Sequence, residues 1–400
     1  MRKLGIYVQV PFCQTKCTYC NFHTGVVASS RFAPYVEAVC REIRGYRELL
    51  RAGEVGWGRS VAGKAHSQNW LCHELPVDTV YIGGGTPSLL DPGHLQNILD
   101  AIRAAFATEL AEVTLEADPE TIEDEKAAAW VAAGINRVSF GLQSFSDKEL
   151  MAAGRMHRRA DIYRAVPILR EAGIRNISVD LIAGLPHQTK QSWGQSLDEL
   201  AALAPEHVSV YLLEIDEGSR LGKELLQGGG RYSAGAVPSE DEMADYYEMA
   251  QEVLRAAGYH HYEISNWAKP GFESRHNLKY WRREAYLGFG AGAHSFSGAE
   301  RWANVHDAAA YVTAVQGGRL PVEQHETLTA ESALEEELFL GLRQLDGIDV
   351  GRIERDYGVT LGERFERLTS AGLIERKDNI VRLAPKKLSV SNEAFVELLR

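Results

Sequence analysis

The chain has 400 residues, of which 45% are hydrophobic and 24% charged, and its formal net charge is −12. That length allows two or three domains with a large core, and the acidic balance argues against a general nucleic-acid or anionic-membrane role. No apolar run reaches about 18 residues and the amino terminus carries no signal-peptide apolar region, so a soluble cytosolic protein is expected.

Short strand-like runs alternate with helical patterns from the start. Gly5–Phe12 places Ile6, Val8 and Val10 on one face and Tyr7 and Gln9 on the other. Directly after it come Cys13, Cys17 and Cys20, spaced C-x3-C-x2-C. Arg31–Arg51 reads as a helix. The stretch from Ala52 to Pro76 has no period and reads as an inserted loop. Strand patterns follow at Thr79–Ile82, Glu112–Glu116, Arg137–Phe140, Asn176–Ile182 and His207–Leu213. Helical patterns lie between them at His94–Ala107, Asp124–Ala133, Ala160–Ala172 and Gln191–Leu203. Strands separated by helices predict right-handed crossovers and an α/β fold with a parallel sheet, long enough to curl into a full or partial barrel. Active sites in such sheets gather at the carboxyl ends of the strands.

The rhythm changes after Leu213. Gly228–Gly230 and Ser233–Val237 read as a flexible connection. Ser239 and Glu242 form a capping-box pattern opening a helix that ends near Gly258. His260–Gly298 is rich in aromatics, glycine and histidine. Beyond about Thr327, Val350–Tyr357, Leu361–Ala371 and a hairpin over Leu373–Leu383 give a helix–helix–wing pattern. The chain thus divides into a core over 1–235, an extension over 236–326 and a carboxyl-terminal unit over 327–400. The wing pattern raises a DNA-binding reading, but its charges are mixed and present no basic face.

Thiolates suit soft iron sites. Three ligands on a four-iron cluster leave one iron open to a small chelating molecule. Structural zinc sites use four ligands in paired sets, and no second pair follows here. Of the five cysteines, Cys40 fits a helix's core face and Cys72 has no assignment; this usage fits a reducing compartment. Gly83-Gly84-Gly85-Thr86-Pro87 follows a strand and lets backbone approach a ligand's polar end. A phosphate cradle and a plain tight turn are the alternatives; the Lys of a phosphate loop is missing. Strand alternation aims Glu116, Gln143 and Asp180 into one interior near the carboxyl-end rim, with Arg155 on a following loop. The two carboxylates suit ribose hydroxyls and the guanidinium suits a carboxylate.

Together, Cys13-x3-Cys17-x-Tyr19-Cys20, Gly83-Gly-Gly85-Thr-Pro-Ser, Thr114-Leu-Glu-Ala-Asp-Pro119, Ser139-Phe-Gly-Leu-Gln-Ser144, Gly154-Arg-Met-His157 and Asp180-Leu-Ile-Ala-Gly-Leu-Pro186 resemble the radical S-adenosylmethionine superfamily. The resemblance lies in the branch of oxygen-independent coproporphyrinogen III oxidase and the HemW-type haem chaperones, and it covers nearly the whole chain outside Ala52–Pro76. It implies a partial parallel (β/α)6 barrel with a smaller winged-helix-like carboxyl-terminal domain. It also implies a [4Fe–4S] cluster on Cys13, Cys17 and Cys20, reduced by an electron donor. S-adenosylmethionine would chelate the open iron, near Tyr7, Tyr19, Gly84, Gly85, Thr86, Glu116, Gln143, Arg155 and Asp180. In radical members the reduced cluster cleaves the sulfonium bond to give a 5′-deoxyadenosyl radical.

Two departures separate the oxidases from this chain. They resemble it but carry a fourth cysteine two residues after the third, where this chain has Phe22, and a longer arm ahead of Tyr7. Both favour the chaperone type: binding of haem and its transfer to an acceptor haem protein, respiratory and membrane-associated, without coproporphyrinogen oxidation. In that type an H-N-x-x-Y-W element, here His276-Asn-Leu-Lys-Tyr280-Trp281, is implicated in haem handling. Neutral imidazole ligates haem iron well, and the two aromatics offer flat apolar faces. His294 is a second candidate, though a packed histidine fits it better, and His23 reads as a neighbour of the cysteine loop. The rival functions are coproporphyrinogen III oxidase or another radical tetrapyrrole enzyme and, more weakly, a redox-sensing winged-helix regulator.

Overall fold

The structure is a computed structural model that describes residues 3–51 and 75–398. The inserted stretch up to 74, with Cys72, lies outside the described residues. The strands are β1 (Leu4–Val10), β2 (Phe12–Cys13), β3 (Gly25–Val26), β4 (Val77–Gly84), β5 (Thr108–Ala117), β6 (Arg137–Gln143), β7 (Asn176–Ala183), β8 (His207–Leu212), β9 (His260–Glu263), β10 (Asn266–Ala268), β11 (Tyr286–Phe289), β12 (His294–Phe296), β13 (Glu300–Asn304), β14 (Val322–Thr327), β15 (Ile348–Asp349), β16 (Ile374–Lys377) and β17 (Ile380–Leu383).

β1, β4, β5, β6, β7 and β8 lie side by side in chain order, and each pair is parallel. The crossovers carry the helices Phe32–Arg51, Pro92–Ala105, Asp124–Ala133, Arg159–Ala172 and Lys190–Leu203. The six expected parallel strands are therefore present, and the sheet does not stop with them. β11 joins β1 in parallel on its other side, β12 to β14 continue antiparallel beyond it, and β10 and β9 extend the β8 edge antiparallel. These added strands are mostly three to six residues long, too short for a legible period.

The two faces of the parallel strands differ in kind. Ile6, Val8, Val80, Ile82, Val113 and Leu115 are fully buried toward the helices, each contributing about 1.5–3 kcal/mol of apolar burial. The opposite face is polar and layered. Gly5, Thr79 and Glu112 stand in register at the amino end, Tyr7, Tyr81 and Thr114 in the middle, and Gln9 and Gly83 above them. Gly84, Glu116, Gln143, Asp180 and Tyr211, from five successive strands, line one cavity. A flat sheet would spread them over about 19 Å at ~4.8 Å per strand, so the sheet curls into a partial barrel.

The helix Arg275–Trp281 closes the amino end of that barrel. Its Arg275 and His276 backbone amides donate to the Glu112 carboxylate at 3.0 Å each. The connection near 228–237 contains a 3-10 turn, Arg231–Ala236, that is largely exposed and anchored through Ala234. Leu221 and Ala234 bury against Ile182, Leu185, Leu213 and Met243, with Tyr19 packed on the same cluster. Its glycines hide this small apolar nucleus in the sequence. The carboxyl-terminal unit has the helix–helix–wing form, with a three-stranded sheet ordered β15–β17–β16. No described helix is long and apolar enough to cross a membrane.

Candidate functional site

The cysteine loop leaves β2 and is held from both sides. The Thr18 amide donates to the Ala153 carbonyl at 3.0 Å, and the Thr18 carbonyl accepts from the Leu221 amide at 2.8 Å. Cys13, Cys17 and Cys20 all line a cavity of about 810 Å3 at the carboxyl ends of the strands. Burial pushes the Cys13 and Cys20 thiols above the ordinary thiol range. Arg155 Nη1 donates to Cys17 Sγ at 3.6 Å. Thiols of this kind become good ligands when a metal takes their protons. No three of them or of neighbouring His, Asp and Glu among the described residues form a tight single-ion cage. A cubane spreads its thiolates over different irons, so three cysteines on one loop can each meet a separate iron.

The glycine loop presses against the cysteine loop. A Cβ on Gly85 would lie 2.3 Å from the Phe12 carbonyl oxygen and 2.9 Å from Cys13 Sγ. Gly84 has φ +118°, a backbone that side chains rarely adopt. Its amide donates to Glu116 Oε2 at 2.9 Å, and the Tyr81 hydroxyl donates to Glu116 Oε1 at 2.7 Å. Burial raises the Glu116 carboxyl to about 7, against the pull of those two donors. Burial likewise raises Asp180 to about 6, opposed by its hydrogen bond with Ser209. A cation entering the cavity would drive both toward the carboxylate form.

Arg155 ties the remaining parts together. It pairs with Asp118 and donates to the Gly141 carbonyl at 2.8 Å. Asp118 also accepts from the Thr86 hydroxyl at 3.0 Å. Gln143 has a φ of 65°, a strained value for a non-glycine residue, and its Oε1 is buried with no hydrogen-bond partner among the described residues. An orphaned acceptor on a strained residue at a cavity wall fits a site completed by a ligand donor. Thiols, close glycine backbone, two titratable carboxyls and this orphan together fit an iron–sulfur cluster with S-adenosylmethionine, whose sulfonium is cationic.

Of the residues picked from the sequence, Cys13, Cys17, Tyr19, Cys20, Gly84, Gly85, Thr86, Glu116, Gln143, Arg155 and Asp180 all meet at this cavity. Tyr7 does not line it: its hydroxyl donates to Gln9 Oε1 at 2.6 Å, and its ring stacks on Tyr81 with centroids 6.0 Å apart. His276, Tyr280 and Trp281 are not brought there either. His276 is buried at the barrel's amino end, with Nδ1 3.0 Å from Thr79 Oγ1 and Nε2 2.9 Å from the Tyr280 hydroxyl. Burial, helped by Lys279, lowers its pKa to about 3. Both ring nitrogens are engaged, so in this conformation neither is open to iron. The Trp281 ring lies under the Arg343 guanidinium, 4.5 Å from its centroid. Asp118, Tyr81 and Tyr211 were missed. Asp118 sits one residue past β5, outside the alternating face that singled out Glu116.

A curled parallel sheet with a three-cysteine loop at its carboxyl end defines the radical S-adenosylmethionine class. The model of the Radical SAM superfamily matches residues 7–200, and that of the HemN C-terminal domain matches residues 328–386. The solved coproporphyrinogen III oxidase (HemN) from Escherichia coli superposes with a TM-score of 0.81, covering 99% of this chain and 90% of that one at 22% identity; the likeness is one of fold. The protein named heme chaperone HemW from Bacillus subtilis is 34% identical over 97% of this chain and 97% of its own. Its namesake from Escherichia coli is 34% identical over 73% of this chain and 69% of its own. A mouse protein named radical S-adenosyl methionine domain-containing protein 1, mitochondrial, is 35% identical over 73% of this chain and 60% of its own. The chain belongs to the HemW family of radical SAM proteins.

Proposed function

We propose that this protein is a haem chaperone: it binds haem and hands it to an acceptor haem protein, on a scaffold that holds [4Fe–4S] and S-adenosylmethionine. The observation that carries this reading is end-to-end similarity, 97% of both chains, to a protein named for that task. The oxidase likeness, at 22% identity, extends to the fold alone. Phe22, exposed where the oxidases have a fourth cysteine, supports the carrier over the enzyme. Phe22, Met156, Tyr211 and Ile215 are all exposed and all rim the cavity, an apolar mouth suited to a flat cargo.

Cys13, Cys17 and Cys20 would hold the cluster. Glu116, Gln143, Arg155 and Asp180 would hold S-adenosylmethionine, with Gly84, Gly85 and Thr86 supplying close backbone and Tyr19 packing over it. When bound, the pair supplies one-electron chemistry. The chain itself positions the ligand, keeps the Arg155–Asp118 pair between Thr86 and Cys17, and raises the proton affinity of Glu116 and Asp180, which a bound cation would lower again. The acceptor is proposed to be a respiratory haem protein. Anaerobic haem titration followed by transfer to an apo-acceptor tests the function. Conversion of coproporphyrinogen to protoporphyrinogen by the reconstituted protein would instead make it an oxidase.

A further inference from the structure

Past the rim of the cofactor cavity, where Lys16 and Phe22 stand, the cysteine loop runs on to His23. Phe22 is 66% exposed there. A lone exposed phenyl ring is ordinary, but its neighbours are not. Lys16 Nζ donates to the Phe22 carbonyl at 3.3 Å and joins no ion pair among the described residues. His23 packs on His306 with ring centroids 4.2 Å apart and planes tilted by 34°. His294 stands close enough for both to act on it: burial lowers its pKa, followed by His306, Arg301 and His23. Gly292 (φ +72°) leaves room for this cluster, since a Cβ there would stand 3.0 Å from His306 Nδ1. That nitrogen is shut off from solvent without a hydrogen-bond partner among the described residues. None of the three histidines lines the cofactor cavity, whereas Phe22 and Lys16 do, so the two regions share an edge.

Imidazoles, an exposed phenyl ring and an ammonium outside any ion pair among the described residues together match one class of ligand, an iron porphyrin. Imidazole nitrogen ligates the iron, the ring covers the macrocycle, and the ammonium meets a propionate. We propose that haem docks on this patch, with an imidazole of the His23–His306 pair as axial ligand, and not on His276. This rests on the haem-chaperone reading above.

The test is haemin titration of the full chain, read by the Soret band and by electron paramagnetic resonance. The unaltered protein should give a protein-bound Soret band. His23→Ala with His306→Ala should weaken haem binding at least tenfold and change the iron's spin-state signature, with added free imidazole restoring the band. His23→Gln with His306→Gln keeps volume and polarity and should lose the same signature. Phe22→Ser should weaken binding several-fold. Circular dichroism should stay unchanged in all of them, and the reconstituted cluster band in both histidine double variants. If both double variants bind haem with unaltered affinity and spectrum, this site is wrong while the chaperone reading survives. If the unaltered protein binds no haem, that reading falls and this site with it.

Discussion

Replacing His276 with alanine separates a structural histidine from a haem ligand. The imidazole fills a closed space between Thr79, Tyr81 and Tyr280, and bonds to two hydroxyls. Its removal loses two hydrogen bonds at about 1 kcal/mol each, leaves Thr79 and Tyr280 without that partner and opens a cavity. The total expected is about 2–4 kcal/mol of stability at pH 7. The loss should shrink in acid. Folded His276 has a pKa of about 3, far below the unfolded value of 6.5, so its stabilising contribution is complete above 6.5 and falls as pH drops toward 3. Below 6.5 the unaltered protein therefore loses about 1.4 kcal/mol per pH unit from this group, and the alanine variant does not. Urea unfolding at pH 7 and pH 5 measures both effects, and haem titration of the same variant measures the ligand role. A variant as stable as the unaltered protein but unable to shift the Soret band would refute the reasoning and return His276 to the haem.

Four further outcomes follow from the same geometry. Gly85→Ala should abolish cluster reconstitution without unfolding the barrel, because its methyl group meets the Phe12 backbone carbonyl at 2.3 Å; iron and sulfide content after reconstitution checks it. Asp118→Asn should weaken S-adenosylmethionine binding about tenfold by loosening Arg155, read by calorimetry on the reconstituted protein. Affinity for S-adenosylmethionine should rise as pH increases from 5 to 8, since Glu116 and Asp180, raised to about 7 and about 6, must ionise to meet a cation; a flat profile would count against their contact. Glu42, buried among Tyr311, Asn304 and Gly290, is raised to about 7 mainly by burial. Its contribution is complete below its unfolded pKa near 4.5 and declines by about 3 kcal/mol as pH rises from there to about 7, so Glu42→Gln should remove that part of the decline in unfolding free energy between those pH values.

The half of the site that lies on long strands could be read directly from alternation. Glu116 and Asp180 face the interior because Val113, Leu115, Val179 and Leu181 must face the helices, and side chains alternate along a strand. The cysteines and glycines could be read from chemistry, since few sites need three thiols or three consecutive glycines. Other parts depended on contacts distant in the chain. Arg155 finds Asp118 37 positions away, and no local pattern encodes that. β11 is four residues long, so its pairing with β1 becomes visible only once both are folded. His276 looked like a ligand because its sequence neighbours are aromatic; Thr79, 197 residues earlier, and the Tyr280 hydroxyl decide its role. The His23–His306 contact was hidden for the same reason, as the two residues meet across most of the barrel's sequence.

The most direct test of a haem carrier is transfer itself. Anaerobically reconstituted protein is loaded with one equivalent of haem, stripped of free haem, and mixed with the apo form of a respiratory haem protein while the two Soret bands are followed. The expected result is decay of the carrier's band matched by growth of the acceptor's, faster than spontaneous release of haem into buffer. Transfer no faster than that release, together with turnover of coproporphyrinogen, would contradict the chaperone function and place this chain among the oxidases.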